Sequence, residues 1–219
     1  MATGQTSAQM AIRDPDIRLM LRVRNDDQAA FSQLVANYQN RLVGIMHHLL
    51  NNAEEAEDLA QEVFMRVYRT RKKYTPKAKF STWLFTIANN LALNALRNRQ
   101  RKPVVALEIH ESGPLGPRPA EQMVRNHRDA APSTSLQQAE LTARIRQALS
   151  KLNERQQMAV ILNKFEDMGY AEIAEVMGLT SKAVKSLLSR ARARLREELQ
   201  DYIYMDGEPV PHAADADED

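Results

Sequence analysis

A chain of 219 residues can build one large core or two small ones, and only seven glycines beside long Ala-, Leu-, Arg- and Glu-rich stretches favour helices. The absence of cysteine excludes disulfides and thiolate metal sites, and no apolar run reaches the roughly 18 residues of a membrane-spanning helix. With no signal-peptide-like apolar segment at the start, a cytoplasmic protein without membrane insertion is the expectation.

The net charge of +2 conceals a segregation. Glu54, Glu55, Glu57, Asp58 and Glu62 crowd together, and then no acid occurs from Val63 to Leu107, where eleven basic residues fall between Arg66 and Lys102. A second acid-free block from Val176 to Arg196 carries Lys182, Lys185, Arg190, Arg192, Arg194 and Arg196. Solvated helix faces usually mix signs, so two such blocks are the electrostatic footprint of a nucleic-acid binder.

In chain order, Asp14-Pro15-Asp16 opens a helix running to about Arg24, followed by the turn-like Asn25-Asp26-Asp27. Phe31, Leu34, Val35, Tyr38, Leu42, Ile45, Met46 and Leu49 recur at three- and four-residue steps along one face of a long helix, which Asn51-Asn52 breaks. The next helix begins in the acidic cluster, where carboxylates favour the N-terminal dipole, and buries Leu59, Val63, Phe64, Val67 and Tyr68. Tyr74 to Lys79, containing Pro76, reads as a loop, and Ser81 or Thr82 can cap a helix through Trp83, Leu84, Ile87, Leu91 and Leu96. Phe80 and Trp83 share a face of that helix, which favours core packing over base stacking for Phe80, Trp83 and Phe85.

Periodicity disappears between Pro103 and Gln137, where Pro103, Pro114, Pro117, Pro119, Pro132, Gly113 and Gly116 mark a flexible linker. The expected fold class is therefore all-α, with two small helical domains on a tether. An N-terminal tail (1–15) precedes a helical domain over 16–102, a linker over 103–137, a second domain over 138–200 and an acidic tail over 201–219. From Asp206 onward the tail holds six acids and no Lys or Arg, and is expected to be disordered. As a polyanion it could compete with DNA for the nearby basic block.

The second domain carries the most specific local signal. Ile173, Ala174 and Met177 lie on a short helix, Gly178-Leu179 forms a turn, and Val184 and Leu188 lie on the next helix. Thr180 can cap that second helix, whose exposed face carries Ser181, Lys182, Lys185, Ser186, Ser189, Arg190 and Arg192. Such side chains reach phosphates and base edges when a helix enters a major groove.

Three motifs then stand in a familiar order. Ala53-Glu54-Glu55-Ala56-Glu57-Asp58-Leu59-Ala60-Gln61-Glu62-Val63-Phe64 resembles the polymerase-binding helix of sigma region 2. Phe80-Ser81-Thr82-Trp83-Leu84-Phe85-Thr86-Ile87-Ala88-Asn89-Asn90 resembles the promoter-melting, minus-ten-reading segment. Tyr170-Ala171-Glu172-Ile173-Ala174-Glu175-Val176-Met177-Gly178, with Val184-Lys185-Ser186 and Arg190-Ala191-Arg192, is similar to region 4, the minus-thirty-five reader. The chain thus resembles the compact extracytoplasmic-function group of sigma-70 family RNA polymerase sigma factors.

That resemblance implies a protein that directs core RNA polymerase to promoter DNA and initiates transcription, in a stress or envelope response, under a partner anti-sigma factor. It implies that Glu54, Glu57, Asp58, Gln61 and Glu62 face the polymerase. Lys77, Ala78 and Lys79 match the loop that captures a base flipped from the minus-ten strand, and Asn90 matches a polar residue beside that strand. Arg97, Arg99, Arg101 and Lys102 would hold the duplex edge, and Ser181, Lys182, Lys185, Ser186, Ser189, Arg190 and Arg192 would read the minus-thirty-five element. Two positions depart from the pattern. Leu187 stands where many relatives carry Arg or Lys, so contacts inferred there do not carry over, and Gly169 replaces the usual Ser or Thr cap.

The alternatives are a conventional helix-turn-helix regulator and a nucleic-acid-processing enzyme. No GxxxxGK[ST], G-x-S-x-G or HExxH pattern occurs, so no catalytic residue and no cofactor is assigned. His47 and His48 are adjacent on a helix and point apart, while His110, His127 and His212 lie in linker or tail. Metal-assisted cleavage would want carboxylates clustered near the basic surface, and along the sequence none lies there.

Overall fold

The structure is a computed structural model, and it describes residues 13–101 and 132–205. Every regular element among the described residues is helical.

The first four helices are α1 (Pro15–Arg24), α2 (Gln28–Leu50), α3 (Ala53–Thr70) and α4 (Phe80–Arg101), with one 3-10 turn over Arg71–Lys73. Each boundary has a local cause. Asp14 caps α1 by accepting from the Asp16 and Ile17 amides at 2.9 and 3.3 Å, with Pro15 in the first turn. Asp26 and Asn51 adopt left-handed backbone at φ 66° and 52°, which Asp and Asn tolerate better than most residues. Asn52 then caps α3 through the Glu55 amide at 3.1 Å.

The helix through Trp83 begins differently from expectation. It starts at Phe80, so Ser81 and Thr82 lie inside its first turn rather than at its cap. The Phe80 amide donates to the second Asp14 carboxylate oxygen at 2.9 Å. One carboxylate therefore caps two helices 66 positions apart, a contact that local spacing cannot reveal.

Apolar faces of these helices meet around Ile17, Met20, Leu34, Tyr38, Leu42, Met46, Val63, Phe80, Leu84 and Phe85, all buried. Ala56, Ala60, Ala88 and Ala92 are buried too, and their small side chains let the helices approach closely. The rings of Tyr38 and Phe80 pack edge-on at 5.3 Å, while the Tyr38 hydroxyl donates to Asp16 at 2.6 Å. Burial and that carboxylate push the phenol well above its ordinary range.

The remaining helices are α5 (Pro132–Ser150), α6 (Glu154–Lys164), α7 (Tyr170–Met177) and α8 (Ser181–Met205). α5 starts at Pro132, six positions before the expected Gln138, with proline in the first-turn position it suits. Asn153 and Gln156 form a reciprocal capping box at the start of α6, with distances of 2.9 and 3.2 Å. Gly178 ends α7 at φ 63°, a left-handed conformation that glycine permits, and Leu179 donates back to the Ala174 carbonyl at 2.9 Å. Ile173, Ala174, Val184, Leu188 and Ala191 close the helix-turn-helix core.

The two helical groups pack against each other. α7 lies along α4, and α5 and α6 lie against α2. Arg41 on α2 is ion-paired with Glu166 in the turn before α7, and its guanidinium lies 4.8 Å from the Tyr38 ring centroid. Burial still pushes the Glu166 carboxyl above its ordinary value despite that guanidinium. Gln157 on α6 donates to the His48 carbonyl at 2.6 Å, and the His48 and Phe165 rings are 4.9 Å apart.

Candidate nucleic-acid interface

The acidic start of α3 is solvent-facing, as amphipathic spacing requires: Glu54, Glu57, Asp58 and Gln61 are exposed. Among the described residues, no ion pair engages Glu54, Glu57 or Asp58, while half-buried Glu62 meets Arg69 at 3.7 Å. Beside this edge runs a groove of about 340 Å³ between α2 and α3. Phe31, Val35, Val43, Phe64 and Met65 make it apolar, and Glu57 and Gln61 stand at its rim. Met65 is 47% exposed, which marks this face as unfinished by the chain's own core. Sequence spacing missed Met65 because it falls off the buried stripe of α3.

The loop before α4 forms a second feature, a cleft of about 530 Å³. Lys77 and Ala78 line it, together with Arg66, Lys73, Tyr74, Trp83, Thr86 and Ile87. Phe80 and Phe85 are buried as expected, but Trp83 is only half buried. Its ring packs 4.7 Å from Tyr74 and 5.9 Å from Phe80 while also lining the cleft, so it serves core and surface together. The buried Tyr74 hydroxyl has no hydrogen-bond partner among the described residues, and the same residue forms part of the cleft wall. The Arg24 guanidinium donates to the Tyr74 carbonyl at 3.4 Å and helps to fix the loop.

The other basic candidates divide. Asn90 and Arg97 are exposed along α4, outside the cleft. Arg99 is engaged within the chain: it donates to the Leu50 carbonyl at 2.8 Å and meets Glu55 at 3.2 Å, pinning α4 to the α2–α3 junction. Lys102 lies outside the described residues, as do the side chain of Arg101 and the acidic tail from Asp206.

Lys79 turns away from the other two loop residues. Its ammonium meets the Glu172 carboxylate of α7 at 2.7 Å, and Glu175, one turn further, lines the cleft beside Lys77 and Ala78. The hydrogen bond to Glu172 holds the Lys79 ammonium above its ordinary pKa, and the same contact holds Glu172 below its own. This corrects the expectation that no carboxylate lies near the basic surface. Two do, and they arrive from the other helical group. Among the described residues no three His, Asp or Glu side chains gather into a metal site.

On α8, Ser181, Lys182, Lys185, Ser186, Ser189, Arg190 and Arg192 are all exposed. Thr180 caps the helix through the Ala183 amide at 3.2 Å. Arg192 donates to the Tyr170 hydroxyl at 3.0 Å, and Arg190 flanks a separate groove with Lys151 and Arg194. Leu187 is half buried against the core, which accounts for an apolar residue there. Glu172 compensates for Gly169 by accepting its amide at 3.0 Å.

Comparison with known proteins places both halves. The Sigma-70 region 2 family matches residues 34–102 and the Sigma-70 region 4 family matches residues 142–195. The ECF RNA polymerase sigma factor SigW of Bacillus subtilis is 32% identical over 180 residues, covering 82% of this chain and 94% of that protein. The RNA polymerase sigma-H factor of Pseudomonas aeruginosa is 32% identical over 194 residues, covering 87% and 97%. Among solved structures, CnrH in complex with the cytosolic domain of CnrY shares the fold with a TM-score of 0.62 at 23% identity, over 86% of this chain and 99% of that one. RpoE in complex with the anti-sigma factor NepR, from Bartonella quintana, does so with a TM-score of 0.56 at 24% identity, over 78% and 96%. Similarity of this extent, spread over both helical groups, makes the chain a member of the extracytoplasmic-function group of sigma-70 family RNA polymerase sigma factors.

Proposed function

We propose that the chain divides promoter recognition between its helical groups, over residues 16–102 and 138–200, in the cytoplasm and without catalysing a reaction itself. The acidic edge Glu54, Glu57, Asp58, Gln61 and Glu62, with the apolar groove beside it, docks on core RNA polymerase. Lys77, Ala78 and Lys79 receive a base of the minus-ten strand, with Asn90 and Arg97 along its path and Arg101 and Lys102 beyond. Ser181, Lys182, Lys185, Ser186, Ser189, Arg190 and Arg192 meet the minus-thirty-five duplex. Arg99 contributes by fixing α4 rather than by holding DNA. An anti-sigma factor is the expected regulator, because RpoE, a relative of this fold, was solved in complex with one, and a stress or envelope response is the setting that the family resemblance implies.

The observation that supports this reading most is the cleft. Extruding a base costs a few kcal/mol in lost stacking and pairing. A concave site can offset that when it offers lysines for the flanking phosphates and an aromatic ring edge. Lys73, Lys77 and Trp83 supply these around one cavity. Binding energy alone then opens the duplex, and bond formation belongs to the polymerase.

Polymerase docking is tested by comigration with core enzyme in gel filtration. Replacing both Asp58 and Glu62 by Lys should weaken association by at least about a hundredfold, the scale of losing close charge pairs at an interface. Helical content should stay intact because Asp58 is exposed and Glu62 half buried. Undiminished comigration of that variant would overturn the assignment of α3.

A further inference from the structure

We propose that Met65 is an oxidation site that controls docking on core polymerase, its thioether permitting the contact and its sulfoxide opposing it. The inference rests on reading the acidic edge of α3 and its groove as the polymerase surface, and adds how that surface is modified. No cysteine occurs, so all sulfur in the chain belongs to methionine. Met20, Met46, Met158 and Met168 are buried and Met177 is half buried, whereas Met65 is 47% exposed. An oxidant in solution therefore reaches the Met65 thioether ahead of those five.

Position gives that exposure a consequence. Met65 lies one turn beyond Gln61 and two turns beyond Asp58 on the same face of α3. It lines the apolar groove with Phe31, Val35, Val43 and Phe64, while Glu57 and Gln61 stand at the rim. The chain's own core leaves the thioether open, so a partner seated on this edge covers it. An unbranched, polarisable side chain suits such a contact because it adapts its shape to the partner.

Oxidation changes the size of this side chain little and its polarity greatly. Hydrogen peroxide passes one oxygen atom to the sulfur: the O–O bond breaks and an S–O bond forms. The peroxide is reduced to water, and the sulfur is oxidised by two electrons. The product carries a strong hydrogen-bond acceptor on an apolar wall. Docking then has to dehydrate that oxygen in an apolar groove, a cost the thioether avoids. Two thiols reverse the change and leave as a disulfide and water, so a thiol-dependent sulfoxide reductase returns the chain to its docking form.

The full-length chain alone is treated with hydrogen peroxide, the peroxide is removed with catalase, and affinity for untreated core polymerase is measured. Peptide mass spectrometry should find Met65 oxidised before Met20, Met46, Met158 and Met168. The oxidised chain should keep its helical content and bind core at least about tenfold more weakly. Sulfoxide reductases for both epimers, supplied with dithiothreitol, should restore binding. Met65→Leu keeps an apolar side chain without oxidisable sulfur. Its affinity, whatever the starting value, should change by less than about twofold on the same treatment, which discounts methionines elsewhere in the chain. Equal affinity before and after complete conversion of Met65 overturns the proposal. An equal loss in Met65→Leu also overturns it, as does oxidation of Met65 no faster than that of the buried methionines. Asp58→Lys with Glu62→Lys separates the two readings. If that variant loses core binding while the oxidised wild type keeps it, the oxidation site alone has failed. If that variant binds core normally, the docking surface itself is elsewhere and the proposal falls with it.

Discussion

The reading face of α8 is written in one continuous stretch, Ser181 to Arg192, and every candidate on it is exposed. The Lys77–Ala78 cleft is assembled from α3, the following turn and loop, α4 and a residue of α7, with its edge set by a carboxylate at position 14. The first surface depends on helical periodicity and a cap at Thr180. The second depends on contacts that span 66 to more than 90 positions and can be covered by another part of the chain. A local surface is fixed by its own helix, whereas a composite one depends on every element that contributes to it.

Destabilising the support of the cleft separates the two surfaces most sharply. Phe80 is 1% exposed and packs on Tyr38 and Trp83, so Phe80→Ala should cost about 3–5 kcal/mol in a chemical denaturation curve. Near-ultraviolet signal from Trp83 should weaken. Asp14→Ala removes caps from α1 and α4 at once and should cost about 2 kcal/mol, roughly two cap losses, by the same measurement. In both variants random-duplex binding through α8 should be retained wherever the chain remains folded.

Smaller changes probe the α8 face. Lys185→Ala should weaken duplex binding and lower the slope of log affinity against log salt by about one, measured by fluorescence anisotropy. Glu172→Ala, on the neighbouring helix, should matter less to the duplex. An affinity that did not vary with salt would contradict the phosphate-contact reading.

The smallest expected effect is on pH. Burial first, then His47 and Arg146, lowers His48 from 6.5 to about 4 where α2 packs against α5 and α6. Neutral His48 therefore favours that packing fully above about pH 6.5, and that contribution is lost as pH falls toward 4. Glu166, pushed up by burial, works in the opposite direction over acidic pH. The distance between labels on α2 and α6, compared for wild type and His48→Gln, isolates the histidine. The two should diverge only below about pH 6.5.

Much of this architecture was legible in the sequence because its causes are local. Asp14 opens α1, Asn51-Asn52 ends α2, Thr180 caps α8, Gly178 takes the turn after α7, and the apolar stripes of α2 and α3 are buried. What escaped has non-local causes. The α4 cap comes from Asp14 instead of Ser81 or Thr82, and Lys79 and Arg41 find their carboxylates 93 and 125 positions away. Charge segregation showed which helices are basic, but not that acids from α7 would be folded onto one of them. Trp83 was assigned to the core from its spacing with Phe80, and only three-dimensional packing shows that it also forms the cleft wall.

The division of labour between the two surfaces is tested most directly by promoter opening. Permanganate reactivity of minus-ten thymines is measured with core polymerase and saturating amounts of wild type, Lys77→Ala with Trp83→Ala, or Lys182→Ala with Lys185→Ala. The cleft variant should form a closed complex and lose reactivity by at least about tenfold, a scale set by one base's stacking energy. The α8 variant should need more protein to reach saturation but then open the promoter normally. Full reactivity with the cleft variant, together with its loss in the saturated α8 variant, would contradict the account.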